Sequence, residues 1–358
     1  MYIFYFIFCL VAFVLQLVSG AWLMKCFPFI SARDPFLVSL LGSVLMFMGF
    51  TYTHTHQTDI FSGALYYVAY IWFGLSFLAF CICVCFVVVW QLLTWLHLPT
   101  AWMGTATLLT MAVVFTMAIW GGFSEPKIKH IAVKIPGAPK MKLALLADTH
   151  LGMGVSLDRF DRVMHRIEAE RPDGILVLGD IFEYGPHRSA YAARIKQAKT
   201  PLGTYGVLGN HEYYTGYGDS KAFFEQAGIT LLENTAVTLS NGVQVAGLKD
   251  IKTTGVTAKQ VAKLLDGLHK HKPIILLSHT PLLEDVAAEH GANLMLSGHT
   301  HNGQLWPFTY LVKLVFPHVY GLYEINKMKL YVTSGIFYWG MPLRFLAPAE
   351  IAFIEVNP

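Results

Sequence analysis

The sequence predicts a chain in two parts: four membrane-spanning α-helices within residues 1–123, then an α/β domain over residues 124–358 built on a buried sheet covered by helices. Three observations predict it. Residues 1–123 carry only Lys25, Arg33, Asp34 and Asp59 as formal charges, although the 358-residue chain has 26 basic and 23 acidic residues. The same stretch holds four apolar runs that meet or approach the roughly 20 helical residues needed to cross a hydrocarbon core about 30 Å thick. Beyond it, short apolar runs alternate with helical patterns, the order that puts helices on the faces of a sheet. At about 150 residues per domain, the length has room for two units.

The spans are expected at about 2–23, 36–53, 63–96 and 100–120. The third exceeds what a bilayer requires, so it should tilt or project beyond the interface. "HLPT" at 97–100 separates it from the fourth, because proline disfavours helix in the residue before it. The first run has small residues near its end, "VSGA" at 18–21, but no basic n-region. It reads as an uncleaved anchor rather than a signal peptide. An even number of spans returns the chain to the side of its N-terminus. Lys127, Lys129, Lys134, Lys140 and Lys142 follow the last span, whereas the opposite loops hold Lys25 and Arg33. The positive-inside rule therefore predicts a cytoplasmic back domain. Cys9, Cys26, Cys81, Cys83 and Cys85 all lie in the apolar part and read as small hydrophobes rather than acylation or metal sites. His54 and His56 read as polar caps at a membrane interface.

In the back domain, "SEPKIKHIAVKIPGAPKM" at 124–141 alternates apolar and basic residues and predicts a half-buried strand at about 127–135. The pattern then predicts strand 143–147, helix 156–170, strand 174–178, helix 188–199, strand 204–208 and helix 219–227. A strand-rich region at 229–248 is followed by helix 257–269, strands 274–278 and 293–297, and final strands near 329–334 and 350–356.

Polar residues with metal affinity stand directly after several of these strands. "LALLADTH" ends in Asp148 and His150, "ILVLGD" in Asp180, and "YGVLGNHE" in Asn210, His211 and Glu212. "PIILLSHTP" delivers His279, and "LMLSGHTH" delivers His299 and His301. Open α/β sheets bind ligands beyond the carboxyl ends of their strands, so five strand ends would meet at one rim. In extended chain, residues i and i+2 share a face, which would pair Asp148 with His150 and His299 with His301. Gly179, Gly209 and Gly298 precede ligands, where the chain must turn tightly or admit one. Leaving His211 aside, two carboxylates, one amide and four imidazoles suit Mn²⁺, Fe or Zn²⁺ better than Ca²⁺ or a soft metal. Seven ligands are too many for one catalytic ion with an open position and fit two ions sharing a carboxylate.

The ordered blocks D-x-H, G-D, G-N-H-E, H and G-H-x-H resemble the calcineurin-like metallophosphoesterase superfamily over residues 148–301. "GHTHNGQLWPF", "VYGLY", "LYVTSGI", "PLRF" and "PAEIAFI" resemble its membrane-associated bacterial branch and extend the likeness to about 125–356. The resemblance implies a two-sheet β-sandwich core flanked by helices, in a protein of a bacterial inner membrane. It implies that Asp148, His150 and His301 hold one ion and Asn210, His279 and His299 the other, with Asp180 bridging. Two divalent ions are implied, Mn²⁺ favoured, with Zn²⁺, Fe or Mg²⁺ as alternatives. His211 would stand beside the substrate as transition-state stabiliser or general acid, with Asp180 and Asn210 in the same catalytic group. Two departures bear on access loops: Asn302 stands where close relatives commonly have glycine, and "GIFYWG" replaces a more glycine-rich version. The ions less the two aspartates would leave a site near +2, roughly, which attracts phosphate and acidifies water. Ions about 3.5–4 Å apart can hold a bridging hydroxide for in-line attack.

Other features read plainly. "HEYYT" at 211–215 lacks the second histidine of H-E-x-x-H, and "GMGVSL" at 152–157 is an incomplete G-x-G-x-x-G. His165, His187, His269, His271 and His290 read as solvated, Glu212 as an orienting group or surface residue, and Glu183 as less significant still. A net charge of +3 without a concentrated basic face gives no case for nucleic acid. The stretch "LWPFTYLVKLVFPHVYGLY" at 305–323 reads either as a loop packed on sheet or helices, or as a membrane-dipping wall beside the metals. In the second reading Trp306 and Phe308 meet an amphiphilic substrate, and Lys313, His318 and Arg344 meet phosphate or a lipid headgroup. The expected activity is hydrolysis of a lipid-linked phosphodiester or pyrophosphate, with membrane lipids as partners. The alternatives are a tethered hydrolase of soluble nucleotides or phosphoproteins, and a non-enzymatic binding or transport protein. The near-absence of charge in the spans argues against an ion pathway.

Overall fold

The computed structural model describes residues 2–56 and 60–358; Asp59 lies outside them. The chain forms two compact units, one of residues 1–123 with 340–345, the other of 124–339 with 346–358.

The helical unit consists of α1 (Tyr2–Cys26), α2 (Arg33–Thr55), α3 (Ile60–Trp95) and α4 (Met103–Phe123). All four are long and apolar enough to cross a membrane. At 36 residues, α3 is longer than a bilayer needs. Without a hydrophobic drive between helices inside lipid, close packing must hold them, and small residues permit it. A Cβ on Gly42 would stand 2.5 Å from Trp72 Nε1, and one on Gly49 would stand 2.9 Å from Ala69 Cβ. Polar side chains in the spans bond one another: Trp22 Nε1 donates to Thr107 Oγ1 at 2.9 Å. His56 caps α2, its backbone N–H donating to Tyr52 O.

Residues 340–345 were expected within a continuous back domain but belong to the helical unit. Gly121 and Gly122 explain this, because Cβ atoms there would stand 2.2 and 2.0 Å from the carbonyl oxygens of Arg344 and Pro342. The bare backbone lets that segment lie directly on α4, where the Arg344 N–H donates to Ala118 O at 2.9 Å.

The second unit has the two-sheet core that the resemblance implied. Its strands are β1 (Lys127–Lys134), β2 (Met141–Leu146), β3 (Gly174–Val177), β4 (Thr204–Gly206), β5 (Thr230–Leu231) and β6 (Thr235–Thr238). The chain continues with β7 (Gln244–Gly247), β8 (Ile274–Leu277), β9 (Leu294–Ser297), β10 (Gly321–Ile325), β11 (Met328–Val332) and β12 (Glu350–Asn357). One sheet runs β1-β12-β2-β3-β4-β5 and the other β10-β11-β9-β8-β7-β6. The strands read as continuous apolar runs because both faces of the central ones are covered. With alternate side chains on opposite faces, Leu143 and Leu145 of β2 and Ile275 and Leu277 of β8 meet between the sheets. Ala144 and Leu146 face the other way, onto helices Leu157–Ala169, Arg188–Gln197 and Tyr217–Gln226. Ile274 and Leu276 pack under helices Ala258–Asp266 and Glu284–Glu289. This clamping fixes the carboxyl ends of β2, β3, β4, β8 and β9.

Candidate metal centre

Asp148 and His150 follow β2, Asp180 follows β3, Asn210 opens the short helix after β4, His279 follows β8, and His299 and His301 follow β9. The extended geometry that would pair residues i and i+2 does not continue this far. Asp148, His150, Asp180, His299 and His301 all have positive φ, between 41° and 72°. Such a backbone is uncommon outside glycine and persists only where its surroundings hold it. Here the loops hold one another: Asp148 N–H donates to Gly179 O at 3.1 Å and His150 N–H to Asp180 O at 3.0 Å. Asn302 is also left-handed, at φ 54°. Asparagine tolerates that conformation.

Three groups result among the described residues, one of them His150, Glu183 and His211. Asp148, His150 and His301 bring ligand atoms within 4.8 Å of one another, as do Asp180, His279 and His299. Asp180 Oδ2 lies 3.2 Å from His279 Nε2 and 3.9 Å from His150 Nε2, so it faces both. Asn210 Oδ1 lies 3.1 Å from His279 Nε2. His299 and His301, two residues apart, thus fall in different clusters.

The donor chemistry fits cations. His279 Nδ1 lies 2.7 Å from Leu178 O, and a carbonyl can only accept, so Nδ1 carries a proton and Nε2 is the nitrogen left to take a cation, a proton or a metal ion. His150 Nδ1 is held at 2.6 Å by Glu183, which fixes Nε2 in the same way. Its Nε2 nevertheless stands 3.0 Å from His301 Nε2. Meanwhile Asp148 Oδ2 is buried without a hydrogen-bond partner. Converging lone pairs and an orphaned carboxylate oxygen are what a metal ligand set presents, with outer bonds fixing the histidine tautomers.

The electrostatics agree. Burial opposes ionisation of Asp180, yet His279, His211 and His150 hold its carboxyl well below the usual range. Burial pushes the Asp148 carboxyl up. Burial also opposes charge on His279, but Asp180 outweighs it and raises the imidazole to about 10. His299, lacking so close a carboxylate, is lowered by burial to about 3. The carboxylates thus draw protons onto neighbouring imidazoles, and metal ions binding there would displace those protons.

Two carboxylates matter more than their sequence context suggested. Glu183 Oε1 also lies 2.8 Å from His211 Nδ1, so one oxygen serves two imidazoles. Burial works against the His211 cation, but Asp180 and Glu183 raise it to about 9. Glu212 is buried and accepts backbone N–H groups from Gly209 at 2.7 Å, Asp180 at 2.9 Å and Ile181 at 2.7 Å. It therefore shapes the loops that carry Asp180 and Asn210. The His211 ring is flanked by Tyr214 and Trp339, at centroid distances of 5.5 and 5.7 Å. Gln304 fixes Trp339 by bonding its N–H and carbonyl.

The residues expected to contact phosphate or an apolar substrate have different surroundings. His318 Nδ1 is bonded to Glu284 at 2.8 Å, and Lys313 sits over the Tyr310 ring. Arg344 is buried and belongs to the helical unit. Trp306 and Phe308 are 41% and 43% exposed. The stretch 305–323 is not one wall either: Leu305, Phe316 and Val319 are buried, and its last residues enter β10.

Comparison with known proteins bears on this arrangement. A family profile described as calcineurin-like phosphoesterase matches residues 141–303. A metallophosphoesterase of Helicobacter pylori is 34% identical over 250 residues, covering 68% of this chain and 67% of its own. One from Campylobacter jejuni is 33% identical over 261 residues, covering 70% of this chain and 69% of its own. A transmembrane protein with a metallophosphoesterase domain from Danio rerio is 31% identical over 275 residues, covering 70% of this chain and 62% of its own. A likeness of that extent, spanning every strand end that supplies a ligand, makes the chain a member of the calcineurin-like phosphoesterase family and a metal-dependent phosphoester hydrolase.

Proposed function

We propose that the protein is a membrane-anchored dinuclear metallohydrolase of phosphodiester or pyrophosphate bonds in a lipid-linked, amphiphilic substrate. The observation that carries the dinuclear reading is Asp180 Oδ2, which faces His150 of one cluster and His279 of the other. Asp148, His150 and His301 would hold one ion, Asn210, His279 and His299 the second, and Asp180 both; the mixed oxygen and nitrogen donors suit Mn²⁺, Fe or Zn²⁺, and the family resemblance favours Mn²⁺. When bound, two such ions supply positive charge to phosphoryl oxygens and make water a nucleophile at neutral pH. Glu183 holds His211 at Nδ1, which leaves Nε2 to donate a proton to the leaving oxygen. That donation needs the imidazolium, the form that the neighbouring Glu183 carboxylate favours. Tyr214 and Trp339 would flank the leaving group. The lipid-linked substrate is supported by the four spans and by the exposed apolar residues that follow His301. The basic stretch after α4 supports a catalytic unit on the cytoplasmic face of a bacterial inner membrane.

Detergent-solubilised protein should be assayed with Mn²⁺ on bis-p-nitrophenyl phosphate, nucleotides and phospholipids, before and after dialysis against a chelator. Activity that disappears on chelation and returns with Mn²⁺ is expected. Full activity in the chelated sample would refute the metal mechanism, and turnover confined to soluble nucleotides would refute the lipid-linked substrate.

A further inference from the structure

The segment immediately after His301 leaves the metal centre and returns to it. At its start, Thr309 Oγ1 donates to Asn302 O at 2.8 Å, and Gly303 lies so close that a Cβ would stand 2.5 Å from the Thr309 backbone. At its end, the Phe316 ring packs against the ring of His299 at 5.0 Å, and Thr300 Oγ1 donates to Val319 O at 2.6 Å. Both ends of the excursion are therefore fixed to residues carrying or adjoining two metal ligands, His299 and His301.

Its tip has the opposite character. Helix Phe308–Lys313 has no buried residue. Leu311, Leu314 and Val315 are 53%, 82% and 51% exposed, alongside the half-exposed aromatics Trp306, Phe308 and Tyr310. No aspartate or glutamate occurs from Leu305 to Tyr323, and Lys313 is the only lysine or arginine there. Lys252 stands over the Phe316 ring at the base, 5.0 Å from its centroid. Aliphatic residues bordered by Trp, Tyr and Lys, without acidic groups, are the composition of a segment that lies in a membrane interface. A soluble face would rarely leave so many adjoining apolar side chains in water.

We propose that residues 306–315 insert into the bilayer surface, so that an amphiphilic substrate passes from lipid to the metals along an element braced on His299 and His301. The occupant is lipid because four membrane-spanning helices keep the unit tethered at a bilayer, and because the segment carries positive charge only, which suits anionic headgroups. Insertion itself stands independently of the enzymology; its role in substrate delivery rests on the lipid-linked reading above.

The test uses the full chain in vesicles of phosphatidylethanolamine and phosphatidylglycerol. A Leu314→benzoylphenylalanine variant is irradiated, and the peptide bearing it is identified by mass spectrometry. An acyl-chain adduct is expected. Crosslinks to the chain's own helices or to a second copy, or no adduct at all, would overturn the proposal. In parallel, the triple variant Leu311→Ser, Leu314→Ser, Val315→Ser should hydrolyse hexadecyl p-nitrophenyl phosphate in those vesicles about tenfold more slowly, having lost apolar insertion area. Its hydrolysis of bis-p-nitrophenyl phosphate in detergent should match the parent, which also reports an intact fold. Equal rates in vesicles would overturn the delivery role. Should the parent itself ignore the vesicle-borne ester, the lipid-linked reading fails while the crosslink still decides insertion.

Discussion

Glu183 Oε1 stands 2.6 Å from His150 Nδ1 and 2.8 Å from His211 Nδ1, so a single carboxylate oxygen joins a proposed metal ligand to the residue proposed for proton transfer. Those two rings meet edge to face at 4.9 Å. Glu183→Gln keeps the shape but removes the charge that keeps protons on both Nδ1 atoms. Loss of such an outer-sphere partner costs about 10–100-fold in metal affinity or activity. The variant should lose kcat in that range on bis-p-nitrophenyl phosphate and Glu183→Asp should recover part of it. An unchanged kcat with full metal content would show Glu183 to be a bystander.

Asp180 should behave differently, because it faces both clusters and anchors the His211 N–H at 2.9 Å as well. Asp180→Ala is expected to lose metal, measured by elemental analysis of the purified protein, together with hydrolysis. Retention of two ions per chain would contradict the shared role.

His211 belongs to neither of the two clusters assigned to metal, so removing it separates binding from chemistry. His211→Gln should keep its metal and lose about 10²–10⁴-fold in kcat, the usual contribution of a positioned acid. Metal loss in this variant would instead make His211 a ligand, an arrangement its proximity to His150 and Glu183 would permit.

These residues differ in how far sequence could disclose them. Asp148, Asp180, Asn210, His279, His299 and His301 follow continuous apolar strands, and a strand's end is a local signal that places a side chain on the rim. The same local signal marked β2, β3, β8 and β9. Glu183 has no such signal: its partner His150 is 33 residues away, and the two meet because Leu151 pairs with Phe182 in an isolated bridge between loops. Left-handed φ at five candidate ligand positions likewise rests on tertiary bonds, since aspartate and histidine alone would not predict it. The segment 340–345 escaped for a related reason. Its membership in the helical unit depends on two glycines in α4, more than 200 residues earlier in the chain.

Gly298 offers a test of how tightly the first cluster is built. A Cβ there would stand 2.4 Å from Asp148 Oδ2, the orphaned oxygen, and 3.1 Å from its Cγ. Asp148 is fully buried and cannot retreat. Gly298→Ala should therefore displace the carboxylate and lower metal affinity about 10-fold or more, in the range of ligand-sphere damage, with a further loss of stability from overpacking of about 1–3 kcal/mol. Metal titration followed by activity measures the first, and the thermal midpoint of the metal-free protein measures the second. Wild-type values for both would mean the loop can shift away from Asp148 freely.

The last prediction concerns stability and pH away from the metals. Arg194 donates two hydrogen bonds to Glu168, at 2.8 and 2.9 Å, and one to Asp161. The bonds to Arg194 hold both carboxyls below their ordinary values of 4.5 and 3.8. A carboxylate with a depressed folded-state pKa stabilises the fold above its unfolded pKa, and that stabilisation is lost as pH falls through the folded value. Arg194→Met, which keeps the aliphatic stem, should therefore cost most near pH 7. Because both acids are partly exposed, the cost should be about 1 kcal/mol or less, a shift of about 2–4 °C for a unit of this size. The gap between parent and variant should close as pH drops below the ordinary carboxylate range. His165 also lies 3.2 Å from Asp161 and 3.5 Å from Glu168. Thermal midpoints of the two proteins measured across acidic and neutral pH test the sign: a gap that widens towards low pH would mean the carboxylates are not what Arg194 stabilises.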